Sequence, residues 1–143
     1  MPNKKRYRRI MIPPKMEGFK PFGVSKQELE SVNLLYEEFE AIRLCDYEEL
    51  TQDEAANRMQ ISRPTFNRIY NQARKIIAKA FVENKVITIK GGAFISEDYW
   101  FKCYNCNEIM ITLKPIIHCR SCNSDNINWL NMKPEKEKQI TPD

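Results

Sequence analysis

The sequence predicts a mainly α protein: a helix-turn-helix domain followed by a small β module. Three observations carry this prediction. Thr51-Gln52-Asp53-Glu54 is a capping box, in which hydroxyl and carboxylate satisfy each other's backbone N–H, and it opens a short helix. Ser62 is a fresh N-cap a few residues later, with Pro64 in the first turn, where a missing N–H costs nothing. Beyond residue 99, two Cys-x-x-Cys pairs sit among short β-type runs with twelve residues between them.

Taken in order, residues 1–24 read as an irregular basic arm. Pro2, Pro13, Pro14 and Pro21 break helices, Gly18 and Gly23 mark turns, and Lys4, Lys5, Arg6, Arg8 and Arg9 are cationic. Residues 25–92 form the helix-turn-helix domain. Leu29, Val32 and Tyr36 sit at helical spacing from Ser25. A second helix runs roughly from Tyr36 to Asp46, with Phe39, Ile42 and Leu44 inward and Glu37, Glu38, Glu40 and Arg43 facing water. The pattern does not settle whether a break separates the two. The capped helix spans Gln52 to about Met59. The longer one runs from Arg63 to Phe81 or Val82, on an apolar line of Phe66, Ile69, Tyr70, Ala73, Ile76 or Ile77, Ala80 and Phe81. Val86–Ile89 switches to a β pattern that Gly91-Gly92 ends. Residues 93–130 form the β module, with strands near Trp100–Lys102, Ile109–Leu113, Ile116–His118 and Ile127–Leu130. Residues 131–143, polar with alternating Lys and Glu, read as a disordered tail.

Charge is unevenly distributed. Residues 1–20 carry a net +6, residues 25–55 a net −8 and residues 58–90 a net +7. Basic segments attract polyanions, although a charge run is as often only a solvated face. The acidic block reads as solvated surface, or as a contact for a basic partner. No apolar run approaches the roughly 18 residues that cross a membrane, and no apolar stretch follows the basic start as in a secretory signal. The expectation is a cytoplasmic protein with no membrane role.

On the longer helix, the face opposite Phe66, Ile69 and Ala73 carries Arg63, Thr65, Asn67, Arg68 and Asn71. Asn pairs bidentately with adenine and Arg with guanine in the major groove, and Thr suits a phosphate or a thymine methyl. Arg74, Lys75 and Lys79 are placed for phosphates, which give affinity rather than sequence choice. The expectation is sequence-specific binding of double-stranded DNA, with recognition helix 63–82 in the major groove. Arg8 and Arg9 join the candidate contacts through the arm, which either enters a minor groove or tracks phosphates, or serves only as a solubilising tail.

The stretch Ile61-Ser62-Arg63-Pro64-Thr65-Phe66-Asn67-Arg68-Ile69 resembles the core of the domain-of-unknown-function 134 family of predicted DNA-binding proteins. Arg8-Arg9-Ile10, Phe19-Lys20-Pro21-x-Gly23, Glu38-Phe39-Glu40-Ala41-Ile42-Arg43-Leu44, Gln52-Asp53-Glu54-Ala55-Ala56 and Ile87-x-Ile89-x-Gly91-Gly92 support it. The resemblance covers about residues 6–92. It implies a helix-turn-helix similar to region four of sigma-70 factors, a transcriptional regulator, and RNA polymerase as a conceivable partner. Two positions depart from it. Gln60 sits where many such turns carry Gly, so a left-handed backbone there is strained by roughly 1 kcal/mol. Glu49 replaces a commonly small residue, so the preceding loop can differ.

Cys103, Cys106, Cys119 and Cys122 form two knuckles able to deliver four thiolates tetrahedrally, in a module that resembles a zinc ribbon. Asn107 and Asn123 follow the second Cys of each pair, where a left-handed backbone is needed and Asn tolerates it. The expected cofactor is zinc in a structural role, with iron not excluded. His118 reads as a strand residue rather than a ligand, and Cys45 as a small buried helix residue. A thiol-redox reading lacks a strand–helix–strand setting around the pairs. No phosphate-binding Gly loop or nucleophile–base set is present, so no enzyme is expected. The alternative function is a protein-docking adaptor of the transcription machinery, using the ribbon and the acidic surface. A homodimer is the common arrangement for reading two half-sites, but no interface is defined.

Overall fold

The structure is a computed structural model that describes residues 8–25 and 28–131. Lys4, Lys5 and Arg6 of the expected arm, and the tail from residue 132, lie outside the described residues. The chain divides into two compact units, one ending at Ile95 and one beginning at Ser96.

The fold is not mainly α. Of the described residues 33% are helical and 21% lie in strands, which form several small sheets. The elements of the first unit are β1 (Arg8–Arg9), β2 (Gly18–Phe19), β3 (Ser31–Leu34), α1 (Tyr36–Ile42), a π-helical turn (Arg43–Tyr47), α2 (Gln52–Arg58), α3 (Arg63–Glu83), β4 (Val86–Ile89) and β5 (Phe94–Ile95).

The helix expected from Ser25 does not form. Its second half is β3, which pairs in parallel with β4 from Ser31–Val86 to Leu34–Ile89. The spacing of Leu29 and Val32 fits a helix, but the β4 partners lie 55 residues downstream, where a local pattern does not reach. Antiparallel β2 completes this sheet. A side chain on Gly18 would collide with the Ile87 carbonyl oxygen, so only glycine lets these strands meet. β1 and β5 pair in parallel, which ties the start of the chain to the end of the unit.

α1 opens as Glu38 accepts the Leu35 N–H at 2.8 Å. It passes without interruption into the π-helical turn, which Arg43 staples by bonding to both Glu40 and Glu48. Two small cores result. Ala41, Leu44, Ala55, Ala56, Met59, Phe66, Ile69 and Tyr70 bind α1, α2 and α3 together, with Cys45 half-buried against them. Leu34, Ala73 and Ile89 seat the sheet on α3.

The second unit contains β6 (Tyr99–Cys103), β7 (Ile109–Thr112) and β8 (Ile127–Trp129), with β6 central and both pairings antiparallel. Its core is Phe101, Cys103, Met110 and Cys119, flanked by Tyr99, Ile116, Ile127 and Trp129. The strand expected at Ile116–His118 is absent. Pro115 removes a donor and the segment bends, leaving Ile117 and His118 exposed. Asn131 is not the start of a tail. Its Oδ1 accepts from the Trp100 N–H and the Trp129 indole at 3.0 and 2.7 Å, and its Nδ2 donates to the Asp98 carbonyl at 2.8 Å.

Candidate nucleic-acid interface and metal centre

α2, the turn after it and α3 are each fixed by local chemistry. Glu54 N–H donates to Thr51 Oγ1, and Thr51 N–H to Glu54 Oε1, both at 3.1 Å. At the far end of α2, Ile61 N–H reaches the Ala56 carbonyl and Gln60 N–H the Asn57 carbonyl, both at 3.1 Å. That double closure is a Schellman motif, and its middle residue must be left-handed. Gln60 takes that role at φ 56°, and Glu49 is also left-handed at φ 59°. Ser62 then caps α3, accepting the Thr65 N–H at 3.3 Å.

The turn of α3 sorts its side chains. Phe66, Ile69, Tyr70, Ala73 and Ala80 are buried, while Arg63, Asn67, Arg68, Asn71, Arg74 and Lys75 are exposed. At about 100° per residue, the exposed set spans about 140° of one helix face. Thr65 stands at the edge of that set, half-buried, with its hydroxyl accepting from Ser62 Oγ at 2.9 Å. Arg63 lies 3.3 Å from Asp53, both well exposed, so water screens the pair strongly. Arg74 lies over the Tyr70 ring at 5.4 Å, and Lys79 pairs with Glu83. Asp53 is the neighbour that sequence reading missed: it enters only because α2 packs across the start of α3.

Two expected contacts are placed elsewhere. Arg8 is buried in β1, and its Nε lies 3.2 Å from Glu37 Oε2. Arg9 is half-buried in the same strand, its N–H donating to the Met59 carbonyl. Neither belongs to a loose arm, because β1 is held by β5. The acidic face is also corrected. Glu37, Glu38 and Glu40 are 3%, 5% and 1% exposed. Their carboxylates serve Arg8 and the Ala93 N–H, the Leu35 N–H, and Arg43 respectively. Burial is the main cause that holds the Glu38 carboxyl above the usual range.

In the second unit, the sulfurs of Cys103, Cys106, Cys119 and Cys122 lie within 4.8 Å of one another, an arrangement that can hold a metal ion. Cys103 faces Cys122, and Cys106 faces Cys119, each pair at 3.6 Å. Tetrahedral metal–sulfur bonds of about 2.3 Å require sulfurs roughly 3.8 Å apart, so the cage fits zinc, and iron of similar bond length fits as well. Asn107 and Asn123 adopt φ 65° and 63°, as both knuckles require. Backbone N–H groups of Asn105 and Ser121 point at the sulfurs of Cys103 and Cys119 at 3.4 and 3.3 Å, and Asn105 Nδ2 points at Cys122 at 3.4 Å. These donors favour thiolate. Chiefly the Asn105 amide, then the Ser124 backbone, bring Cys122 down to about 6. At Cys106 a backbone bond at Glu108 lowers the value, but burial and the bonds to the other three sulfurs prevail and push it up to about 12. His118 is exposed and is not one of the clustered ligands. Among the described residues no helix is long and apolar enough to cross a membrane.

Residues 1–97 match the family described as protein of unknown function DUF134, and the chain belongs to that family. It is 41% identical over 129 residues to a UPF0251 protein of Methanothermobacter thermautotrophicus, covering 90% of this chain and 67% of that one. It is 44% identical over 124 residues to a UPF0251 protein of Clostridium acetobutylicum, covering 85% and 87%. No solved structure matches the chain.

Proposed function

We propose that this DUF134 protein binds double-stranded DNA through α2 and α3 and acts as a sequence-specific transcriptional regulator. One observation supports this most: a doubly capped helix pair whose second helix exposes Arg63, Asn67, Arg68, Asn71 and Lys75 on one face while burying the opposite one. A helix of that kind fits the major groove with its first turns on base edges. Asn67 and Asn71 suit adenine and Arg68 suits guanine, while Lys75 and Arg74 suit phosphates. Arg63 reaches DNA by exchanging Asp53 for a phosphate or a base, a low-cost exchange because the pair is exposed.

The four-sulfur centre is read as structural zinc in a ribbon-like module. Four thiolates leave no open coordination position, and metal binding supplies folding free energy to a unit with a small core. The adaptor reading loses part of its acidic surface, because Glu37, Glu38 and Glu40 are turned inward, while the other acids of that block, Glu28, Glu30, Asp46, Glu48, Glu49, Asp53 and Glu54, stay exposed. Exposed Leu113 and Ile117 on the second unit also favour it.

Duplex titrations over a range of salt test the proposal. Arg68→Ala is expected to lose about 1–3 kcal/mol and to relax discrimination at one base position. Lys75→Ala is expected to weaken all sequences alike and to lower the salt slope by about one. Unchanged affinity and slope in both variants would turn the assignment towards protein docking.

A further inference from the structure

We infer that the first unit holds a binding site for a small amphipathic monoanion, a carboxylate on an apolar body, in a cavity beside the C-terminal half of α3. The cavity measures about 700 Å³. Specific small-molecule sites run from roughly 300 to 1,000 Å³ and are mostly apolar with a few placed polar groups. Here the lining includes buried Leu34 and Ala80 and the far more exposed Phe22 and Phe81, 97% and 85% accessible. Large apolar side chains left in water around an apolar recess mark a surface that is covered in use.

Charge decides what covers it. Two lysines line the cavity, Lys20 and Lys85. The Lys85 ammonium is ion-paired to Glu30 and lies 3.8 Å from Glu83, so its charge is met within the fold. The bond to Glu30 accordingly holds Lys85 above the usual lysine range. Lys20 is exposed and forms no ion pair with a described residue. One uncompensated cation at the edge of an apolar cavity selects a ligand with one negative charge and an apolar remainder. A neutral hydrocarbon leaves Lys20 unused, and a dianion exceeds the unpaired positive charge among the described lining residues.

The site does not depend on DNA binding, although α3 supplies both its wall and the proposed docking face, and the link between the two rests on the reading above. Calorimetric titration of the full-length, metal-loaded chain with decanoate, and with decanol as the neutral control, tests the site without DNA. The expected result is saturable one-site binding of decanoate with Kd below about 1 mM. Lys20→Glu, at an exposed position that spares the core, is expected to weaken decanoate at least about fivefold and to leave decanol within about twofold. Ala80→Trp, which fills the cavity, is expected to abolish both. No saturable binding by the unaltered protein, or equal loss of decanoate and decanol in Lys20→Glu, would overturn the inference. So would a stable dimer at micromolar concentration that Phe22→Asp dissociates, because a second copy would then be the occupant.

Discussion

Nε of Arg8 lies 3.2 Å from Oε2 of Glu37, and both side chains are almost fully buried. The other Glu37 oxygen accepts the Ala93 N–H at 2.6 Å. One carboxylate thus joins the first strand, α1 and the approach to β5. Gly92 passes so close that a Cβ there would sit 2.5 Å from Glu37 Oε1, at φ 117°. An arginine that looks like part of a DNA-seeking arm is instead the partner of a buried acid.

The consequence is a stability effect without a DNA effect. Glu37→Gln removes the carboxylate that faces the buried Arg8 guanidinium, and breaking a buried ion pair typically costs about 3–5 kcal/mol. Urea denaturation is expected to show the midpoint falling while the slope stays constant. Under conditions where the variant remains folded, duplex affinity is expected to match that of the unaltered protein.

Gln60 holds the left-handed turn between α2 and α3 at φ 56°. Relieving that strain is worth roughly 1 kcal/mol, and the added freedom of glycine in the unfolded chain returns part of it. Gln60→Gly is therefore expected to stabilise the first unit by about 0.5 kcal/mol. A thermal or urea midpoint that falls instead would place an unseen contact on the Gln60 side chain.

Tyr70 Oη donates to Asp46 Oδ1 at 2.7 Å, and this bond is the largest cause that raises the phenol above its ordinary value of 10. The folded state therefore holds the proton more tightly than the unfolded one. The bond's contribution to stability is complete below pH 10 and is lost as pH rises through the folded value. Absorbance at 295 nm is expected to show one tyrosine titrating late, and Asp46→Asn to bring it back towards 10.

The metal centre predicts proton-coupled loading. With Cys122 near 6 and Cys106 near 12, the metal-free cluster at neutral pH still carries thiol protons. Binding must displace them, so affinity is expected to rise with pH and metal to be lost on acidification. Elemental analysis is expected to give one zinc or iron per chain. A chelator is expected to abolish the dispersed signals of β6–β8 while the helical circular dichroism persists. Retention of the β signals without metal would show that the cage is not what folds the unit.

Legibility in the sequence followed the range of the interactions. The caps at Thr51 and Ser62, the left-handed Asn107 and Asn123, and the clustering of four cysteines are local or motif-level facts, and each is found where the sequence predicts it. The strand Ser31–Leu34 has helical spacing in the sequence, and its pairing with the distant Val86–Ile89 makes it a strand. Phe81 fits the apolar line of α3 yet is exposed, since the line drifts off the core near the end of the helix. Glu37, Glu38 and Glu40 look solvated in the sequence yet are buried, because the groups that call for them, Arg8 and the Ala93 N–H among them, come from distant segments.

The central claim is sequence-specific DNA binding by α3. The most direct measurement incubates the metal-loaded protein with fragmented DNA of its own genome at near-physiological salt and sequences what is retained. The expected result is a few sharply enriched fragments sharing a common half-site, lost when Arg68 and Asn71 are replaced by alanine. Uniform retention that fades with salt, or no retention, would contradict it.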